Sequence, residues 1–167
     1  SFDEGSPMPY LGHSYPLKFF TGPKKKIYFC ESQVMLETPT EPGSLSPEKI
    51  QTDLSKWYKI MARDIIEDRV GIFAEIMAVS PKDIRIKSQK RAWGSCSSKQ
   101  NLNFNWKLVL TPLAVLDYVV IHELAHLKHF NHSASFWEFV AHHCPAYKTH
   151  MTWLKTHGPF LWEDEDR

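Results

Sequence analysis

The longest hydrophobic pattern in the chain recurs at helical spacing from Pro47 onward. Ser46 and Pro47 supply a helix N-cap and a first-turn proline. The apolar positions follow the period of an α-helix, so we expect them to face the core; they are Ile50, Leu54, Trp57, Tyr58, Met61, Ile65 and Ile66. The pattern predicts one helix from Pro47 to about Met77, with Gly71 tolerated inside it.

Two β-favouring runs precede this helix, at residues 10–20 and 26–36. Gly22-Pro23 lies between them as a turn, so the pattern predicts a hairpin that pairs the two runs. Residues 1–9 carry no such pattern and are predicted to be irregular. Residues 37–46 are rich in Pro, Thr, Ser and Gly, which predicts a linker.

Short strands and three more helices are predicted after the long helix. Strands are expected around Ile84 and Ile86, over residues 92–97 and over residues 102–110, with a turn between the last two. Helix starts are expected after Thr111-Pro112, Ser133 and Pro145, because each supplies a cap or a first-turn proline. These helices are predicted to end near residues 131, 143 and 157, and the acidic tail from Trp162 is predicted to fray.

The bulk properties indicate one globular domain. The chain has 167 residues, enough for a substantial core. Its net charge of +1 argues against a basic nucleic-acid-binding surface. The three cysteines form no C-x-x-C pair, which disfavours a disulfide framework and favours a cytoplasmic location. No apolar stretch approaches the roughly 20 residues of a membrane span, and no signal peptide is visible.

The strongest chemical signal is the run HELAHLKHFNH at residues 122–132. On a helix, His122 and His126 lie on one face about 6 Å apart along the axis, so both imidazoles can reach one ion. Glu123 adjoins the first histidine and can act as a general base on a water at that ion. This H-E-x-x-H spacing is typical of zinc hydrolases and predicts a Zn²⁺ cofactor with one position left open.

The third ligand has several candidates. His129 shares the helical face of His122 but lies about 10 Å along the axis, too far for zinc–nitrogen bonds of about 2.0–2.1 Å. His132 is better placed if the helix ends near Asn131, which tolerates the left-handed conformation that would turn the chain back. A downstream glutamate, Glu138, ranks below His132.

Two longer runs carry a more specific signal, RAWGSCSSKQNLNFNWKLVLTP at residues 91–112 and LDYVVIHELAHLKHFNHSASFW at residues 116–137. Together with Tyr10-Leu11-Gly12, Cys144-Pro145 and Trp153-Leu154, they resemble the YgjP-like metallohydrolases, a family similar to SprT- and WLM-type zinc peptidases. The resemblance covers most of the chain.

The resemblance implies an α+β, zincin-like single domain, in which a small antiparallel sheet packs on the long helix and the H-E-x-x-H helix. Its zinc ligands are expected at His122, His126 and His132, with Glu123 as the catalytic general base. The expected organisation is an N-terminal β segment and linker (1–44), a metallohydrolase core (45–158) and an acidic tail (159–167). Family members usually carry more strand sequence before Tyr10, so a shortened or divergent N-terminus is expected.

These features predict a zinc-dependent hydrolase, first of all a metallopeptidase with a peptide or protein substrate and no membrane or nucleic-acid partner. The strand with Asn103 and Asn105 is either a sheet edge that holds an extended peptide or a merely polar surface. The sequence identifies no oxyanion partner, for which Tyr118 and Tyr147 are the candidates. Ser95 and Cys96 either border the site or form a tight turn.

Two other functions stay open. The resemblance also allows a metal-dependent nucleoside triphosphate pyrophosphatase, although the chain has no phosphate-cradling glycine loop. A non-enzymatic zinc-binding module is the other alternative. Three histidines with a free glutamate argue against it, because structural zinc is usually closed by four protein ligands.

Overall fold

The computed structural model describes residues 1–162, which form two small sheets and four α-helices. The first sheet has the order β1-β2-β4-β3 and contains β1 (Pro7–Tyr10), β2 (His13–Thr21), β3 (Lys26–Cys30) and β4 (Gln33–Thr38). The second has the order β5-β7-β6 and contains β5 (Ile84–Lys87), β6 (Gly94–Cys96) and β7 (Leu102–Asn105). The helices are α1 (Pro47–Met77), α2 (Leu113–Ala125), α3 (Ala134–His143) and α4 (Tyr147–His157).

The α+β fold class is confirmed, but the sheet component is not one antiparallel sheet. Each of the two sheets contains one parallel pair, β2 with β4 and β5 with β7. Most of the acidic tail, residues 163–167, lies outside the described residues, so its predicted fraying is not addressed by the structure.

The predicted hairpin between the first two β runs is wrong. β2 pairs in parallel with β4, with Leu17 opposite Val34, and β3 pairs with β4 instead of β2. The second run is itself a hairpin, because Glu31 and Ser32 both have positive φ, 49° and 63°. A two-residue turn with positive φ at both positions matches the twist of paired strands, and it determines the pairing here.

The N-terminal segment is more ordered than predicted. Leu11 and Gly12, with φ of 48° and 89°, close a hairpin between β1 and β2. Met8 on β1 is completely buried. The Tyr58 hydroxyl of α1 donates to the carbonyl of Pro9 at 2.7 Å. β1 is therefore fixed to the long helix by both packing and a hydrogen bond.

The long helix α1 forms as predicted. The Ser46 hydroxyl accepts from the Lys49 N–H, and Ala78 ends the helix in a left-handed conformation. Arg69 donates two hydrogen bonds to the Asp117 carboxylate, at 2.8 and 2.7 Å, and so ties α1 to α2.

Within the described residues, no helix combines the length and apolarity needed to cross a membrane.

The predicted strand over residues 102–110 ends early, and Trp106–Leu110 is a 3-10 helix. The Asn105 side chain causes the change: it accepts from the Lys107 N–H at 3.0 Å and donates to the carbonyls of Gln89 and Ala92 at 2.8 and 3.2 Å. β7 lies between β5 and β6, so the strand with Asn103 and Asn105 is central. The predicted peptide-binding edge is therefore wrong for β7.

Two predicted helix-end details also differ. Thr111 does not cap α2, since its hydroxyl donates to the Leu108 carbonyl at 2.7 Å and Pro112 occupies the N-cap position. Trp162, expected in a frayed tail, is 7% exposed. Its ring contacts Tyr58 and Trp106 at centroid distances of 5.6 and 5.3 Å. The chain after α4 therefore returns to the core.

Candidate metal centre

The H-E-x-x-H segment occupies the end of α2 and the turn after it. α2 ends at Ala125, several residues earlier than predicted, and turn hydrogen bonds continue to the N–H of His129. Asn131 is not left-handed, because it is absent from the residues with positive φ in the described chain. Since the helix stops early, the chain can turn back without that conformation. Ser133 then caps α3 by accepting from the Phe136 N–H at 3.2 Å.

The turn brings three histidines together. One ring nitrogen each from His122, His126 and His132 lies within 4.8 Å of the others. The two Nε2 atoms of His132 and His122 are 3.4 Å apart. Nitrogens that share a tetrahedral zinc ion at 2.0–2.1 Å are about 3.4 Å apart, so this pair already has the required spacing. The three imidazoles fit a divalent metal ion, and imidazole is a ligand that zinc favours.

The second ring nitrogen of two of these histidines is already occupied. Nδ1 of His122 lies 3.3 Å from the Tyr118 hydroxyl. Nδ1 of His126 lies 3.2 Å from the carbonyl of His129 and must carry the proton, because a carbonyl only accepts. Such partners orient a ligating imidazole and set its tautomer. Nε2 of both rings is therefore left for the shared centre.

Aromatic side chains of α3 hold the imidazoles in place. Phe136 is fully buried and stacks on His126, with centroids 4.4 Å apart and an interplanar angle of 22°. Trp137 stacks on His132 at 5.8 Å and 21°. Neither role was predicted from the sequence. Their position directly after the Ser133 cap was the available signal, since it places them one turn beyond the third histidine.

Burial keeps two of the histidines neutral. Burial, together with the smaller effects of the nearby His126 and His132, lowers the pKa of His122 to about 4. Burial also lowers the pKa of His126. A neutral imidazole is the form that binds a metal, so the fold keeps these two side chains in the ligating state at neutral pH.

Glu123 lies in a confined position beside this cluster. Its side chain is 5% exposed, and burial raises its pKa to about 8. A divalent cation nearby would oppose that shift by favouring the carboxylate. A Cβ built on Gly94 of β6 would lie 2.9 Å from both Cγ and Oε2 of Glu123. The backbone of β6 therefore packs directly against the glutamate.

Other residues considered from the sequence lie around this centre. Ser95 and Cys96 of β6 line a cavity of about 300 Å³ together with the three histidines and Glu123. His129 contributes its carbonyl and packs its ring on Phe139 at 5.7 Å. Glu138 is exposed on α3 and is not part of the histidine cluster. Of the two tyrosines, Tyr118 contacts His122, whereas Tyr147 stacks on Trp137 at 5.3 Å.

Comparison with known proteins gives a consistent picture. The family model described as YgjP-like, metallopeptidase domain, matches residues 1–157. The metallopeptidase zymogen of Pyrococcus abyssi abylysin aligns with a TM-score of 0.51 and 26% identity, over 55% of this chain and 92% of its own. The metallopeptidase zymogen of Methanocaldococcus jannaschii jannalysin aligns with a TM-score of 0.46 and 25% identity, over 52% of this chain and 93% of its own. No curated protein matches the chain significantly.

Proposed function

The chain belongs to the YgjP-like metallopeptidase family, and we propose that it is a zinc-dependent peptidase acting on peptide or protein substrates. The similarity to abylysin, itself described as a metallopeptidase zymogen, supports peptide-bond hydrolysis and a zincin-like fold. One observation carries the proposal: three imidazole nitrogens within 4.8 Å of one another lie beside a buried glutamate.

His122, His126 and His132 are the proposed zinc ligands. Their donor set leaves a fourth position open, as catalytic zinc sites require. The hydrogen-bond partners at Nδ1 of His122 and His126 and the stacking of Phe136 reduce the cost of ordering the ligands on binding. The protein therefore offers a largely preformed site for the ion.

Held by these three histidines, a zinc ion would supply Lewis-acid chemistry, lowering the pKa of a bound water and polarising a peptide carbonyl. Glu123 is the proposed general base, which takes a proton from the attacking water and passes it to the leaving amine. Burial raises the pKa of Glu123, and a bound cation would lower it again, so the carboxylate would be ionised and able to accept a proton when the metal is present. The contact with the Gly94 backbone limits where this carboxylate can lie.

β6 is the proposed binding strand for an extended peptide. It lies at the edge of the second sheet and pairs with β7 along one side. Within the described residues no strand pairs with its other side, and that edge borders the cavity with Glu123 and the histidines. A peptide can add to such an edge through main-chain hydrogen bonds, which would bring its carbonyl next to the metal centre.

The test compares the wild-type protein with Glu123→Gln and His132→Ala. We expect Glu123→Gln to keep the wild-type metal content and to lose about 10²- to 10⁴-fold in kcat on an unfolded protein substrate. We expect His132→Ala to lose the metal. His142→Ala is the matched control, because His142 is exposed on α3 and outside the histidine cluster.

Two results would contradict the proposal. Full peptidase activity in Glu123→Gln with metal bound would remove the glutamate from the mechanism. Hydrolysis of UTP by the wild-type protein, with no cleavage of unfolded proteins, would assign the site to phosphoanhydride chemistry.

A further inference from the structure

A basic cleft lies beside the proposed active site and plays no part in the mechanism above. Its volume is about 490 Å³, and its walls come from the loop before β6, the start of the 3-10 helix and the end of α4. The charged and aromatic side chains that line it are Lys90, Arg91, Trp93, Lys107, Lys155 and Trp162. None of its lining residues in the described chain is acidic.

The cleft adjoins the metal centre. A second cavity, of about 410 Å³, shares Trp93, Leu154 and Lys155 with the basic cleft. Its opposite wall contains His122 and Glu123. A chain bound across Glu123 could therefore continue past Trp93 into the basic cleft.

Trp93 forms the fixed boundary between the two cavities. Its carbonyl accepts from the Asn105 N–H at 2.9 Å. A Cβ on Gly158 would lie 2.6 Å from Cζ2 of its indole, so the ring packs directly on the Gly158 backbone. The entrance to the basic cleft is thus built from ordered elements.

Three of the positive charges that line the cleft are exposed. They belong to Lys90, Arg91 and Lys155, and none of these three forms an ion pair with another described residue. The whole chain has a net charge of only +1, so this local excess is not a consequence of a basic composition. A concave site with cations of one sign and low-dielectric walls attracts anionic groups.

We propose that the basic cleft binds acidic side chains of the substrate on one side of the cleaved bond. This inference rests on the proposed peptidase function. Glu and Asp carboxylates pair with guanidinium and ammonium groups, and the aliphatic part of a glutamate can pack on the Trp93 or Trp162 ring. An acidic peptide fits better than a polynucleotide, because the cationic residues surround one compact cavity and the overall charge is nearly neutral.

The experiment uses matched peptides. A digest of an unfolded protein mixture first identifies a sequence that the protein cleaves. Two pairs of peptides are then synthesised from that sequence. In one pair, two Glu or two Gln residues stand before the cleaved bond, and in the other pair they stand after it. In one of the two pairs we expect the Glu peptide to have a kcat/KM about 3- to 10-fold above that of the Gln peptide, mainly through a lower KM. This ratio corresponds to the contribution of two exposed ion pairs. High salt should reduce the ratio towards one.

Two double variants distinguish an effect of the cleft from an effect of the overall charge of the protein. Lys90→Gln/Arg91→Gln should lower the ratio of kcat/KM between the Glu and Gln peptides towards one, with a larger fall for the Glu peptide than for the Gln peptide. Lys82→Gln/Lys99→Gln is the matched control, because it removes the same charge from exposed positions outside the cleft lining. It should keep the preference.

Binding provides a readout that does not depend on turnover. Fluorescence anisotropy of labelled Glu and Gln peptides on the Glu123→Gln protein should show the same preference and the same loss in Lys90→Gln/Arg91→Gln. If nothing in the digest is cleaved, the peptidase proposal fails, and anisotropy with one unstructured sequence made with two Glu or two Gln residues still decides whether the cleft binds acidic side chains. Equal affinity for both peptides, or tighter binding of UTP or a single-stranded oligonucleotide than of the Glu peptide, would overturn the inference.

Discussion

β6 passes so close to α2 that Gly94 has no room for a side chain. In a Gly94→Ala protein, the new Cβ would meet Cγ and Oε2 of Glu123 at 2.9 Å. Carbon–carbon contacts are optimal at about 3.5–4.0 Å, so one group must shift by roughly 0.6–1 Å. β6 is held by its pairing with β7, where Gly94 lies opposite Phe104. We therefore expect the Glu123 side chain to move.

The displacement is large enough to affect catalysis. Misplacing a reacting group by about 1 Å can reduce the rate about 10²-fold. Overpacking a buried site costs about 1–3 kcal/mol in the free energy of unfolding. For Gly94→Ala we expect kcat/KM to fall roughly 10- to 100-fold, while the protein stays folded and keeps its metal.

Gly71→Ala is the matched control for this substitution. Gly71 lies inside α1, and a Cβ there would have no heavy atom within 4 Å. This variant should keep wild-type activity and gain about 0.4–1 kcal/mol in the free energy of unfolding, because alanine restricts the unfolded chain. Peptide cleavage kinetics, metal analysis and urea unfolding of the three proteins give the comparison. A metal-loaded, folded Gly94→Ala protein that cleaves peptide at the wild-type rate would refute the assigned position of Glu123 in catalysis.

The contacts around the centre lead to two further predictions. Tyr118→Phe removes the hydroxyl at 3.3 Å from His122 Nδ1, so zinc affinity should fall about 10-fold or more in a competition titration with a chelator; an unchanged affinity would show that this contact does not orient the ligand. Asp117→Asn weakens the two hydrogen bonds from Arg69, whose side chain is 23% exposed, and urea unfolding should show a loss of about 1–3 kcal/mol. A smaller loss in the free energy of unfolding would mean that water replaces the hydrogen bonds between Arg69 and Asp117 in the variant.

The site residues could be named from the sequence, whereas their surroundings could not. The spacing of His122, Glu123 and His126 follows from the helical repeat, which is a local property. His132 does lie beside His122 and His126, as predicted, but the predicted reason was wrong. The chain turns back because α2 ends early, and Asn131 is not left-handed. Whether the cluster binds zinc remains a prediction.

Strand pairing shows the same division. The two-residue turns at 11–12 and 31–32 decide two of the three strand pairs in the first sheet, β1 with β2 and β3 with β4, but neither turn contains the Asn-Gly or Asp-Gly signal that would reveal it. The run over residues 106–110 is apolar at most positions, so periodicity cannot distinguish a strand from a buried helical turn. The Asn105 side chain makes that choice through contacts with residues 89 and 92.

The sequence alone determined the long amphipathic helix, the helix that carries the metal-binding motif and the class of chemistry that three histidines and a glutamate support. These depend on residues a few positions apart, whose relative placement the backbone geometry sets. Only the tertiary structure decided that β6 presses on Glu123, that Phe136 and Trp137 hold the imidazoles, and that Trp93 joins the centre to a basic cleft. These depend on contacts between distant segments, and no local pattern encodes which segments meet.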